Sequence, residues 1–117
     1  MRLAHLVLVR RVLALGLALA AAYHVVAIAN GSNGADRHAL FVAINLLFAT
    51  GFWRPFRGFV VLVAVLAVQQ LVSHGQTLLR VLDTEQRVDW PSVIVLIAMP
   101  LAVAVLVFES RLRRTEA

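Results

Sequence analysis

Arginine-bounded apolar runs set the frame for this chain, covering residues 12–29, 37–53, 58–74 and 91–108. A hydrocarbon core of about 30 Å takes about 20 helical residues, with about 17 to 25 tolerated, so each run is of spanning length. The breaks between them are polar. Asn30-Gly31-Ser32-Asn33-Gly34 is a tight small-residue link. Arg54-Pro55-Phe56-Arg57 interrupts the next run, because proline disfavours helix in the residue before it and arginine prefers the interface. The third run is expected to continue as helix to about residue 79, leaving residues 75–89 as the longest connection. Short links make neighbouring helices antiparallel, and the expected fold is an all-α integral membrane bundle of four up-down helices.

Composition agrees. The chain has 117 residues, 62% of them hydrophobic and 15% charged, with a mean hydropathy of +0.88. A soluble domain is roughly 45–50% apolar and about 25% charged, and disorder requires low hydrophobicity, so both are excluded. With no cysteine there is no disulfide, thiol catalysis or thiolate metal site, which excludes four-helix membrane thiol oxidoreductases. All eleven basic residues are arginine in a chain rich in Ala, Val and Leu, the coding bias of a GC-rich bacterial genome, and the inner membrane is the expected location. The net charge of +5 does not point to nucleic acid, because the arginines bound apolar runs and do not line an aromatic-studded face.

Arginine also orients the chain. A cytoplasmic N-terminus places Arg2, Arg10, Arg11, Arg54, Arg57, Arg111, Arg113 and Arg114 inside, eight against Arg37, Arg80 and Arg87 outside. Both termini are therefore expected in the cytoplasm. Trp53 and Trp90 then fall at opposite interfaces, as an aromatic belt requires. Asp36 is the expected N-cap of the second span, and Pro91 sits in the tolerated first turn of the fourth. Pro100 is expected to kink that helix. Residues 3–9 read as an interfacial lead-in. Arg10-Arg11, a short apolar core and Ala20-Ala21-Ala22 also resemble a cleavable signal peptide, but the run continues apolar through Ala29, which favours a retained span.

Polar side chains within the spans carry whatever chemistry the chain has, because they are costly in lipid and face protein. No Asp or Glu lies inside a span, which argues against proton-coupled exporters of the small multidrug type. No Arg lies at a span centre, which argues against a voltage sensor or anion pore. The remainder is a histidine and amide group towards the outer side. At 1.5 Å per residue, His24 and His74 fall at one depth, His38 somewhat above, and Asn45 and Gln70 one layer deeper. His38 and Asn45 share a helix face, as do Gln70, His74 and Thr77. Gly16, Ala20, His24 and Ala27 form a small-residue face that lets a neighbour approach. His5 lies on the opposite side.

Three histidines from three helices suit zinc, copper, iron or nickel. Two at matched depth suit haem b, and a histidine with an amide suits a quinone headgroup. The plainer reading is that these groups only hydrogen-bond between helices. Residues 75–89 read as an interfacial amphipathic stretch in which Asp83, Glu85 and Asp89 are weaker metal candidates. No Ser, His and acid group is expected to converge within a span, which argues against a hydrolase. The fourth span supplies no chemistry, and Arg111, Arg113 and Arg114 form a basic tail for anionic lipid. The expectation is a small non-enzymatic inner-membrane accessory or binding subunit. Its surroundings are the lipid bilayer, with a membrane-protein partner or a second copy of the chain. The alternative is a redox component holding haem b, copper or quinone through His24, His74 and His38.

Overall fold

A computed structural model describes residues 2–116, and among them the chain forms four α-helices and no strand. These are α1 (Leu3–Ala29), α2 (Ala35–Trp53), α3 (Phe59–Glu85) and α4 (Trp90–Glu116). Helices α1, α3 and α4 are long and apolar enough to cross a membrane. The 19 residues of α2 open on Asp36, Arg37 and His38, which shortens its apolar part. The chain divides into two compact units, a hairpin of α1 with α2 and a hairpin of α3 with α4.

Polarity is distributed as a hydrocarbon solvent demands. Large apolar side chains such as Leu15, Leu19, Val61, Val68, Ile94 and Ile97 are exposed, whereas Arg10, Ser92 and Glu109 are buried. No buried side-chain nitrogen or oxygen among the described residues lacks a hydrogen-bond partner. Hydroxyls without a distant partner turn back on their own helix. Thr50 donates to Leu46, Thr77 to Ser73 and Thr84 to Arg80, each at 2.8–3.0 Å.

In the first hairpin the turn is made by glycine. Gly31 has φ +71°, its N–H bonds the Ile28 carbonyl and the Ser32 N–H bonds the Ala27 carbonyl, which together form a Schellman motif closing α1. Gly34, at φ +82°, then caps the start of α2. Asp36 is therefore not the N-cap expected of it. The helix starts one residue earlier than Asp36, which lies in its first turn where an acid still favours the positive end of the dipole. Residues 3–9 are no separate lead-in, since α1 runs unbroken through Arg10 and Arg11.

Arg10 ties the far end of this hairpin. Its Nη1 donates to the carbonyl of Phe52 and, at 2.8 Å, to that of Trp53. Those carbonyls belong to the last turn of α2, where no following N–H reaches them and a cation is favoured. Arg11 lies over the Trp53 ring, 5.2 Å from its centroid. The arginine pair read as a membrane anchor thus also joins two helices. The small-residue expectation shifts as well. Ala14 and Ala21 are the buried small residues of α1, while Gly16 is exposed with nothing within 4 Å of where a Cβ would stand.

In the second hairpin α3 extends six residues beyond the expected limit of 79, so most of residues 75–89 is helix and the link is only residues 86–89. Its length follows from composition, since Leu78, Leu79, Val81 and Leu82 continue the apolar pattern without Gly or Pro. Buried Ala67 and Val81 lie seven residues either side of His74, which puts the histidine on the helix's packed stripe. Helix α4 continues through Pro100 and carries the arginine tail as helix, where Arg113 Nη2 lies 2.8 Å from Glu109 Oε1 one turn back.

Replacing Arg10 by Leu should leave the end of α2 unsatisfied and cost about 1–3 kcal/mol. Arg11→Leu removes a more exposed cation–π contact and should cost about 0.5–1 kcal/mol. Denaturant unfolding of both variants in one detergent checks the order, and equal losses would show that the carbonyl contacts do not stabilise the hairpin.

Candidate functional site

Two polar groups stand beside the hairpin turns. In the first hairpin, His24 lies five residues before the end of α1 and His38 is the fourth residue of α2. The tight 30–34 link brings them level. Their Nδ1 atoms are 2.8 Å apart, with ring centroids at 5.1 Å and planes tilted by 44°. Phe41, on the same face as His38, stacks on His24 at 5.2 Å and 15°, and Tyr23 meets it edge-on at 5.3 Å. Both histidines are half-buried. Two Nδ1 atoms at this distance need one N–H and one lone pair between them, so a single proton occupies the space where two nitrogen lone pairs converge.

In the second hairpin, Asp89 is the N-cap of α4. Its carbonyl accepts from Val93 N–H at 3.1 Å, and its Oδ2 accepts from Ser92 N–H at 3.3 Å and from the Ser92 hydroxyl. Ser92 is fully buried, and its Oγ is 3.0 Å from Nδ1 of His74. A hydroxyl has one proton, and here its hydrogen bond goes to the carboxylate. His74 must then donate through Nδ1–H to Ser92, which leaves Nε2 as a bare acceptor.

A Ser, a His and an acid converge here, although Asp89 lies outside the helices and the group is not contained within a span. Their order nevertheless opposes nucleophilic catalysis. An activated serine gives its proton to histidine, with the acid behind the histidine. Here the serine lies between the other two, donates its hydrogen bond to Asp89 while keeping its proton, and has no exposed surface. The arrangement fixes a histidine tautomer and does not generate an alkoxide.

The remaining candidates make their hydrogen bonds within their own helices. Asn45 Nδ2 donates to the Phe41 carbonyl of its own helix at 2.8 Å, and Gln70 Nε2 donates to Gln69 Oε1 at 2.6 Å. The histidines expected as one set divide between hairpins, His24 and His38 in the first and His74 in the second. Among the described residues, neither hairpin gathers three His, Cys, Asp or Glu side chains fit to hold a metal ion. Asp83 and Glu85 lie on the last turn of α3, and Glu85 pairs with Arg87 at 2.6 Å.

Sequence reasoning missed the part played by Ser92 and Asp89, and by Arg10 and Glu109, each 4% exposed. The dipeptide spacing Asp89-x-x-Ser92 was the available signal for the first pair, since an N-cap acid meets the third helical residue. Comparison with protein-family models, curated proteins and solved structures gives no match to this chain.

Imidazole ¹⁵N spectra of the protein in detergent should show His74 protonated at Nδ1 and bare at Nε2. Ser92→Ala removes the acceptor and should release that preference. A wild-type His74 with its proton on Nε2 would reverse the hydrogen-bond direction drawn above.

Proposed function

We propose that this chain is a small multi-pass protein of the bacterial inner membrane, an up-down four-helix bundle with both termini in the cytoplasm, which acts as a non-enzymatic accessory or binding subunit. One observation carries this reading. The exposed surface is rich in large aliphatic side chains, while the polar groups capable of recognition are gathered beside the two turns that follow α1 and α3. A surface of that kind is stable in lipid, and its apolar helix faces suit a membrane-protein partner or a second copy. The excess of arginine at the opposite helix ends supports placing the turns outside.

The absence of cysteine makes the topology directly testable. Single replacements Ser32→Cys and Gln86→Cys should react with a membrane-impermeant maleimide on spheroplasts. Phe56→Cys and Thr115→Cys should react only after lysis. Labelling of Phe56→Cys from outside would remove α2 as a span, and the reverse pattern throughout would invert the orientation.

A second reading, a redox component using His24, His38 and His74 for haem b, copper or quinone, is favoured by the bare Nε2 of His74 and the paired rings of His24 and His38. It requires a visible spectrum. A Soret band in purified protein that disappears in a His24→Ala/His74→Ala double variant is the expected result for haem, and a colourless wild type removes it.

A further inference from the structure

We propose that His24 and His38 together form a copper(II) site belonging to the first hairpin alone, with His74 taking no part. The inference deepens the reading of this region as a binding site and rests on it. The two Nδ1 atoms converge at 2.8 Å, a distance at which only one proton fits between them. Metal ligation takes that position, and the proton moves to Nε2 of the ring that carried it, so that both rings remain neutral and both Nδ1 lone pairs are free for the metal. Nitrogens about 2.0 Å from a metal stand about 2.8 Å apart when they are cis in a square-planar or tetragonal site, the geometry of copper(II). A tetrahedral zinc site needs about 3.3 Å. The present separation therefore matches the cis copper spacing, with the rings needing to turn so that both lone pairs meet at the metal, whereas zinc requires the nitrogens also to part by about half an ångström.

The rings are also held for this purpose. Phe41 stacks on His24 at 5.2 Å, and Arg10 pins the opposite end of the same helix pair. Neither histidine has another side-chain hydrogen-bond partner among the described contacts, so metal binding breaks one bond only. His74, by contrast, has its Nδ1 occupied by Ser92. Tyr23 beside His24 is exposed, and two histidines leave copper's remaining positions to other donors. Copper(II) also heads the affinity order of divalent first-row ions for nitrogen ligands.

The test uses the full chain in detergent, purified without a polyhistidine tag and titrated with Cu²⁺ and, separately, Zn²⁺. His24→Gln and His38→Gln keep a hydrogen-bonding side chain across α1 and α2 but remove an imidazole, and circular dichroism confirms the helices. Expected are about one Cu²⁺ per chain with an electron paramagnetic resonance pattern of two nitrogen ligands, and binding about tenfold or more tighter than zinc. Each Gln variant should weaken copper binding about tenfold or more, and His74→Ala should leave it unchanged. No stoichiometric copper in wild type, copper retained in the His24→Gln/His38→Gln double variant, or equal or tighter zinc binding would each overturn the proposal. Loss of copper in His74→Ala would overturn it too, by requiring the second hairpin. None of these results bears on the maleimide topology, so the site and the membrane assignment fail separately.

Discussion

The contact of Arg10 with the last carbonyls of α2 sets the register on which the first hairpin depends. From Arg10 to His24 is fourteen residues along α1, and from His38 to Phe52 is fourteen along α2. In two antiparallel helices of equal rise, about 21 Å for that length, a fixed pair at one end determines the pair at the other. The cation therefore does more than satisfy orphan carbonyls. Together with the 30–34 link it holds two imidazoles opposite one another four turns away, with Ala14 and Ala21 buried between. Small residues permit the close approach that a hydrogen bond between short side chains requires.

The second hairpin reaches a defined histidine by different means. Its organising group is an anion at a helix start, where Asp89 meets the positive end of α4 and the free N–H of Ser92. That capping bond orients the serine, and the serine orients His74. The chemical results differ accordingly. The first hairpin brings two nitrogens to one point and leaves a single proton to be displaced. The second commits one nitrogen and presents the other as an acceptor of known direction. A metal that needs two ligands at once is served by the first arrangement, and a single hydrogen-bond donor is served by the second.

Much of the helical framework was legible because hydropathy and breakers act locally. Apolar runs, the 30–34 link and the Pro55 break locate the helices, and arginine bounds them. Helix ends were less legible. Asp36 and Gly34 both qualify as N-caps by composition, and only the chain path after Gly31 decides that Gly34 takes the role. The end of α3 was missed because Arg80, Asp83 and Glu85 resemble a loop by charge, while a helix leaving the apolar layer needs no apolar stripe all round to persist. That His24 and His38 lie on one side was legible from rise, but their direct pairing was not, since depth alone puts His24 level with His74 and His38 somewhat above. The Ser92 relay was not legible either, because it depends on a side-chain direction that depth and spacing do not contain.

Polar chemistry within lipid carries an asymmetry that bears on function. A hydrogen-bonded side chain that contacts only its own helix, as Asn45 does with Phe41, satisfies itself at little structural consequence. One that reaches another helix must be held there against the entropy of the chain, and its removal leaves a partner unpaired. By that measure Asn45 and Gln70 differ from Arg10, from His24 with His38 and from His74 with Ser92, whose hydrogen bonds cross between helices. Arg10 closes backbone groups that have no alternative, so stability explains it completely. The histidine pair is less committed: its hydrogen bond joins α1 to α2 as any such bond does, and its imidazoles are also nitrogen donors of the kind a metal takes.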